Sequence, residues 1–210
     1  MIPRHHASVV LILLCCVLMA TWTATAIPRG LAEAPPKAVS LSGEWQFNPS
    51  LSDDARKIMA QRTAYLHERF ERERRHHRRG PDVNDDLYNP APFAPDKDFA
   101  QPFEVPVHIS VAQSGSHVLI KATEANGDVN REDYEAGAKS VTSFGTGYAD
   151  RVTGWRDKAF IVSLRAAGED RSKEERYALD GGGRLVVTTL FSGDGLPKSE
   201  IKITYDRVAS

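Results

Sequence analysis

The stretch from Glu174 to Arg207 constrains the fold more than any other. Arg176 to Leu179 runs into Asp180-Gly181-Gly182-Gly183, Leu185 to Phe191 answers it, Gly193-Asp194-Gly195 turns the chain again, and Glu200 to Arg207 follows. Turns of this kind need positive φ, which glycine adopts without steric cost, so β-branched runs separated by them specify two consecutive β-hairpins. A chain containing such a stretch must bury one face of an antiparallel sheet.

Upstream segments extend the same pattern. Val107, Ile109 and Val111 alternate with His108, Ser110 and Ala112, Ser114-Gly115 turns the chain, and Val118, Ile120 and Ala122 alternate with Leu119 and Lys121. Asn126-Gly127 is another hairpin signal. Ser140 to Phe144, Arg151 to Trp155 and Ala159 to Leu164 lead into the hairpins above, and Leu41 to Phe47 supplies a first strand ended by Asn48-Pro49. Short strands at regular intervals predict a mainly β protein, an antiparallel meander of eight or nine strands closed into a sandwich or barrel, with sequence neighbours paired in space.

Trp45 near the start and Arg207 near the end lie on strands that meet if the meander closes. There a guanidinium over an indole face contributes about 0.5 to 2 kcal/mol. Gly43-Glu44-Trp45 and Tyr205-Asp206-Arg207 resemble the Gly-x-Trp opening and late arginine of lipocalin-like barrels, and of small secreted proteins of Gram-negative bacteria with the same start and finish. The resemblance implies a barrel in which the arginine lies across the tryptophan and closes one end. The segment Ser52 to Pro106, placed after the first strand, departs from a plain lipocalin.

That segment predicts a helix over 52–79 and a proline-rich loop over 80–106. Ser52 is a candidate N-cap followed by Asp53 and Asp54. Ala55, Ile58, Met59, Tyr65, Leu66 and Phe70 share one face at 3.6 residues per turn. Beyond Phe70 the apolar stripe stops, and Arg69, Arg72, Arg74, Arg75, His76, His77, Arg78 and Arg79 form a basic arm. Glu68 with Arg72 and Glu71 with Arg75 are i,i+4 pairs in the favoured order. Gly80-Pro81 ends the helix, and Leu87, Tyr88, Phe93, Phe99 and Phe103 would pin the loop that follows to the domain surface.

The N-terminal region carries the layout of a secretory signal peptide: Arg4, an apolar run from Val9 to Ala20, and the small residues Ala24-Thr25-Ala26. Residues 1–26 are therefore read as a leader, 27–39 with Pro28, Pro35 and Pro36 as a linker, and 40–210 as one domain. The apolar run is shorter than the roughly 20 residues that span a bilayer, so no transmembrane segment is expected in the mature chain. Both cysteines, Cys15 and Cys16, fall inside the leader. An exported protein, periplasmic or else extracellular, then depends on its core rather than on disulfides.

A formal net charge of -1 and a pI near 6.7 exclude a whole-protein nucleic-acid footprint. Gly181 to Gly183 precedes a strand rather than the helix a phosphate cradle requires. His67, His76 and His77 with Glu71, Asp82, Asp85 and Asp86 offer metal-ligand chemistry, but no two of these histidines sit at i,i+4, so a solvated charged helix is expected and no metal or cofactor. Ser114-Gly115-Ser116-His117 sits in a hairpin turn, and Glu132-Asp133 and Glu174-Glu175 read as surface pairs, leaving no catalytic arrangement. A small barrel either holds one ligand or fills with its own side chains. Phe160, Val162, Leu164, Tyr177, Leu179, Val187, Ile201 and Ile203 are the inward candidates for a small apolar or lipid-like ligand. The alternative is an envelope interaction protein whose basic arm meets anionic lipid, lipopolysaccharide or an acidic partner, at about 1 kcal/mol per basic residue, with the histidines adding charge below their usual pKa of about 6.5.

Overall fold

A computed structural model describes residues 30–36, 39–77, 103–144, 147–168, 170–193 and 195–209. The leader, residues 78–79 of the expected helix and most of the proline-rich loop lie outside the described residues. The larger compact unit runs from Leu31 to Ser210.

Ten antiparallel strands form one sheet: β1 (Gly43–Phe47), β2 (His108–Ser114), β3 (His117–Thr123), β4 (Val129–Glu135), β5 (Lys139–Phe144), β6 (Gly147–Arg156), β7 (Ala159–Ala166), β8 (Ser172–Leu179), β9 (Leu185–Ser192) and β10 (Ser199–Arg207). Each strand from β1 to β4 and from β5 to β10 pairs with its sequence neighbour, and β1 also pairs with β10, giving the order β4-β3-β2-β1-β10-β9-β8-β7-β6-β5. The tenth strand is β4, which the alternation rule missed because Tyr134 is its one buried side chain and its one other apolar residue, Val129, is exposed.

The sheet curls into a barrel-like wall. Tyr134 on β4, at one end of the strand order, lies 5.8 Å from Phe160 on β7, near the other end. Register places Trp45 opposite Arg207 on one side and Ile109 on the other, so the first and last strands close the meander as expected. The β4–β5 seam carries no ladder between its two strands. Instead the turn joining them folds back onto β6, where Gly137 N–H donates to Thr153 O at 2.7 Å and Thr153 N–H to Ala138 O at 3.2 Å. Arg151 on β6 crosses to Glu132 on β4 at 3.5 Å and lies 5.5 Å above the Tyr134 ring.

Two stretches of sequence cover strand edges that the ladder leaves open. Beyond the end of β1, Asn48 N–H donates to Thr204 O and Asp53 N–H to Lys202 O, while Lys202 N–H and Thr204 N–H donate to Asp53 Oδ2 and Ser52 Oγ. Ser52 is thus a staple on β10 rather than the helix cap. Helix α1 (Ala55–His77) is capped by Asp54, whose Oδ1 accepts from Lys57 N–H at 3.0 Å. Beyond the end of β5, Ala32 exchanges two backbone hydrogen bonds with Trp155, at 2.8 and 2.9 Å. Part of the stretch read as a linker is therefore docked on β6.

Helix α1 buries Ala55, Met59 and Arg62. The expected stripe differs from this at Tyr65, which is 43% exposed, and at Arg62, which the apolar pattern passes over. The Arg62 guanidinium lies 5.7 Å from the Phe191 ring and donates to Pro197 O at 3.0 Å, so its charge is met by a carbonyl and an aromatic face. The side chain of Phe70 is not among those described.

Candidate functional site

Alternation along ten paired strands determines which side chains face inward. Three successive rows cross β7, β8, β9 and β10: Phe160, Tyr177, Val187 and Ile203, then Val162, Glu175, Thr189 and Ile201, then Leu164, Lys173, Phe191 and Ser199. All eight apolar candidates fall on this face. Phe160, Val162, Tyr177, Ile201 and Ile203 are buried, and Leu164, Leu179 and Val187 are partly buried against the same core.

The first row is packed, with Val187 alone half-buried. Trp155 meets Phe160 at 5.3 Å, and Phe160 has no exposed surface. The rows nearer α1 differ, because charge enters them. Lys173 Nζ lies 2.7 Å from Glu175 Oε1, and Tyr177 OH donates to Glu175 Oε2 at 2.9 Å. Their side chains retain 27% and 21% exposure, although both project from a strand flanked on each side by another strand. Space accessible to water therefore reaches into the wall at this level.

Burial by itself would raise the Glu175 carboxyl, but the Lys173 ammonium and the hydrogen bonds from Lys173 and Tyr177 outweigh it, and the net shift is downward. The carboxylate in turn acts on three phenols. Burial first and Glu175 second hold Tyr177 and Tyr205 well above the ordinary tyrosine range, and Tyr134 is raised by burial, Glu175 and Glu132. A fixed negative charge thus sits among hydroxyl groups that stay protonated.

Strand alternation, applied from Tyr177 back to Glu175 and Lys173, is the signal that would have located this pair. The reading of Glu174-Glu175 as a surface pair holds for Glu174, which faces Arg156 at 3.4 Å and Arg176 at 3.7 Å outside the wall. Glu175 is the correction: successive strand residues point to opposite faces, so the two carboxylates cannot share one. In the same way Asp133 meets His117 outside at 3.8 Å, while Glu132 faces the seam.

The remaining sequence candidates fall elsewhere. Arg207 lies across Trp45 with its guanidinium carbon 4.4 Å from the ring and donates to Ser42 O at 3.2 Å. On the basic arm, Arg72 pairs with Glu68 at 2.9 Å and Arg75 donates to Glu71 O at 3.2 Å, while the Arg69 guanidinium rests beside Gly195. The side chains of Arg74, His76 and His77, and the whole of Arg78 and Arg79, lie outside the described residues. Among the described residues no group of three His, Cys, Asp or Glu side chains is placed to hold a metal, and no helix is long and apolar enough to cross a membrane. Gly181 to Gly183 form the β8–β9 turn, where Asp180 Oδ1 accepts from Gly182 N–H and Arg184 N–H.

No protein-family model matches the chain, and no curated protein matches it in sequence. Among solved structures it is similar to zebrafish ileal bile acid-binding protein complexed with cholic acid, at 13% identity and TM-score 0.46 over 80% of this chain and 98% of that one. Echinococcus granulosus fatty-acid-binding protein 1 gives 12% identity and TM-score 0.45 over 80% and 98%. Caenorhabditis elegans lipid binding protein 8 gives 10% and 0.47 over 81% and 99%.

Proposed function

We propose that the chain is a non-enzymatic, exported carrier that takes one small, mainly apolar ligand into the barrel. The observation that supports this is the accessible surface on inward-facing side chains. Lys173 and Glu175 keep a fifth to a quarter of theirs, and Leu164, opposite Lys173, remains partly open beside them. A wall that existed only to bury a core would close over these positions, since protein interiors pack with few voids larger than a water molecule. The apolar side chains offer a body site, and the charged pair offers one polar anchor. Such a lining, mostly apolar with a few polar groups, is what small-ligand sites share.

Native mass spectrometry of the full chain, purified without detergent, tests the reading. The expected result is a discrete extra mass that denaturation releases, and its loss in Leu164→Trp, which fills the mouth without altering the packed end. An identical extra mass in both proteins would place the ligand elsewhere and overturn the proposal. The basic arm is not the preferred alternative, because Arg72 and Arg75 are already engaged within the helix.

A further inference from the structure

The two members of the lumenal ion pair are not equivalent. Glu175 has a short side chain, sits one inward row deeper than Lys173, and is anchored by the Tyr177 hydroxyl. Lys173 has a long flexible stem one residue from the start of β8, so its ammonium can turn out of the mouth while its methylenes stay on apolar surface. Successive inward positions are about 6.6 Å apart along a strand, within the reach of a lysine and beyond that of a glutamate. One pair therefore presents a fixed anion and a removable cation.

A ligand with an anionic head entering this site would set its charge beside Glu175, with one ammonium shared between two carboxylates. Like charges at close range in a partly desolvated site are strongly unfavourable. An ammonium head meets the opposite situation: Lys173 withdraws, the newcomer occupies the position of its Nζ 2.7 Å from Glu175 Oε1, and the number of charges inside the barrel is unchanged. Tyr134, Tyr177 and Tyr205 lie within electrostatic reach of the same carboxylate, and phenol rings accommodate cations. We propose that Glu175 is the anchor of an amine-binding site, that Lys173 is its built-in placeholder, and that the ligand class is a lipid-like primary amine with an apolar tail.

This inference rests on the carrier reading, and the test separates the two. Isothermal titration of the full chain with dodecylammonium, dodecanol and dodecanoate, each below its micellar concentration, should give one site per chain, with the ammonium tighter than either other probe by about tenfold or more. Glu175→Gln should remove that preference, so that dodecylammonium binds this variant no more tightly than dodecanol does. Lys173→Met, which removes the competing ammonium, should strengthen dodecylammonium binding, and it serves as a second variant should Glu175→Gln fold poorly. Dodecanol or dodecanoate binding as tightly as the ammonium, or a preference that survives Glu175→Gln, would overturn the amine assignment and leave the carrier standing. Failure of all three probes to bind would overturn both.

Discussion

The two ends of the barrel obey the same alternation rule and come out opposite in character. At one end Trp45, Leu41, Leu185 and Tyr205 are almost wholly buried, the Trp45 indole N–H donates to Leu41 O at 3.1 Å, and Arg207 lies over the ring as a lid. At the other, Lys173 and Glu175 occupy inward positions and keep them wet. The polar groups of Trp45 and Arg207 at the first end are met by the backbone carbonyls of Leu41 and Ser42. Charged side chains at the second end cost desolvation energy that an apolar core would avoid. Burial is concentrated at the first end, and exposed inward charge at the second.

The largest test of that contrast is a pair of truncations. Trp45→Ala should lose about 3 to 5 kcal/mol, the range for removing a buried aromatic. Leu164→Ala, at the open end, should lose under about 2 kcal/mol, because part of its surface is already in water. Urea midpoints of the two variants measure the difference, and equal losses would mean that the mouth is packed as tightly as the base. A somewhat smaller effect is expected from Gly154→Ala on β6. Gly154 has φ +152°, and a Cβ there would sit 2.7 Å from Leu31 Cβ and 2.9 Å from Ala32 O. A loss of about 1 to 3 kcal/mol, reduced when residues before 37 are deleted, would assign the Leu31–Ala32 edge cover to the stable region. A loss undiminished by the deletion would trace it to the backbone strain at residue 154 and to the Gly137 nitrogen 3.1 Å from the added Cβ.

Much of this architecture was legible in the sequence, and the gaps have physical causes. The hairpins were visible because Asp180, Gly183 and Gly195 do local work that other residues resist: Gly183 and Gly195 take φ +76° and +63°. The closure was visible in Trp45 and Arg207, since a cation and an indole on the first and last strands have few other reasons to coincide. Strand β4 was not, because an edge beside an unpaired seam needs little apolar surface. Lys173 and Glu175 escaped because charge reads as surface, a rule that fails where two opposite charges on the inner face of a strand pair with each other. Arg62 escaped for a related reason: on a helix face it breaks the apolar pattern, yet Phe191 and the Pro197 carbonyl accept it.

Smaller again is the contribution of the lid. Arg207→Ala should lower stability by about 0.5 to 2 kcal/mol, toward the low end because the guanidinium is partly hydrated. The same change at Arg165, an exposed residue of β7, should have almost no effect. Equal melting shifts in the two variants would remove Arg207 from the closed end and leave Trp45 to seal it through packing alone.

The finest discrimination between the ends comes from pH. Glu175 has its carboxyl held below the ordinary value of 4.5, so between the two values the folded chain binds fewer protons than the unfolded one. Its contribution to stability is therefore fully present above about pH 4.5 and is lost as the pH falls through the folded value. Glu175→Gln lacks that contribution at every pH. The gap in urea midpoint between the wild type and this variant should accordingly be constant from neutral pH down to roughly pH 5 and should shrink below it, whereas the gap between wild type and Trp45→Ala, which removes no titrating group, should not follow that course. A Glu175 gap that persists unchanged into acid would mean that Lys173 and Tyr177 do not hold the carboxylate charged, and the open end would lose the one fixed charge that distinguishes it from the closed one.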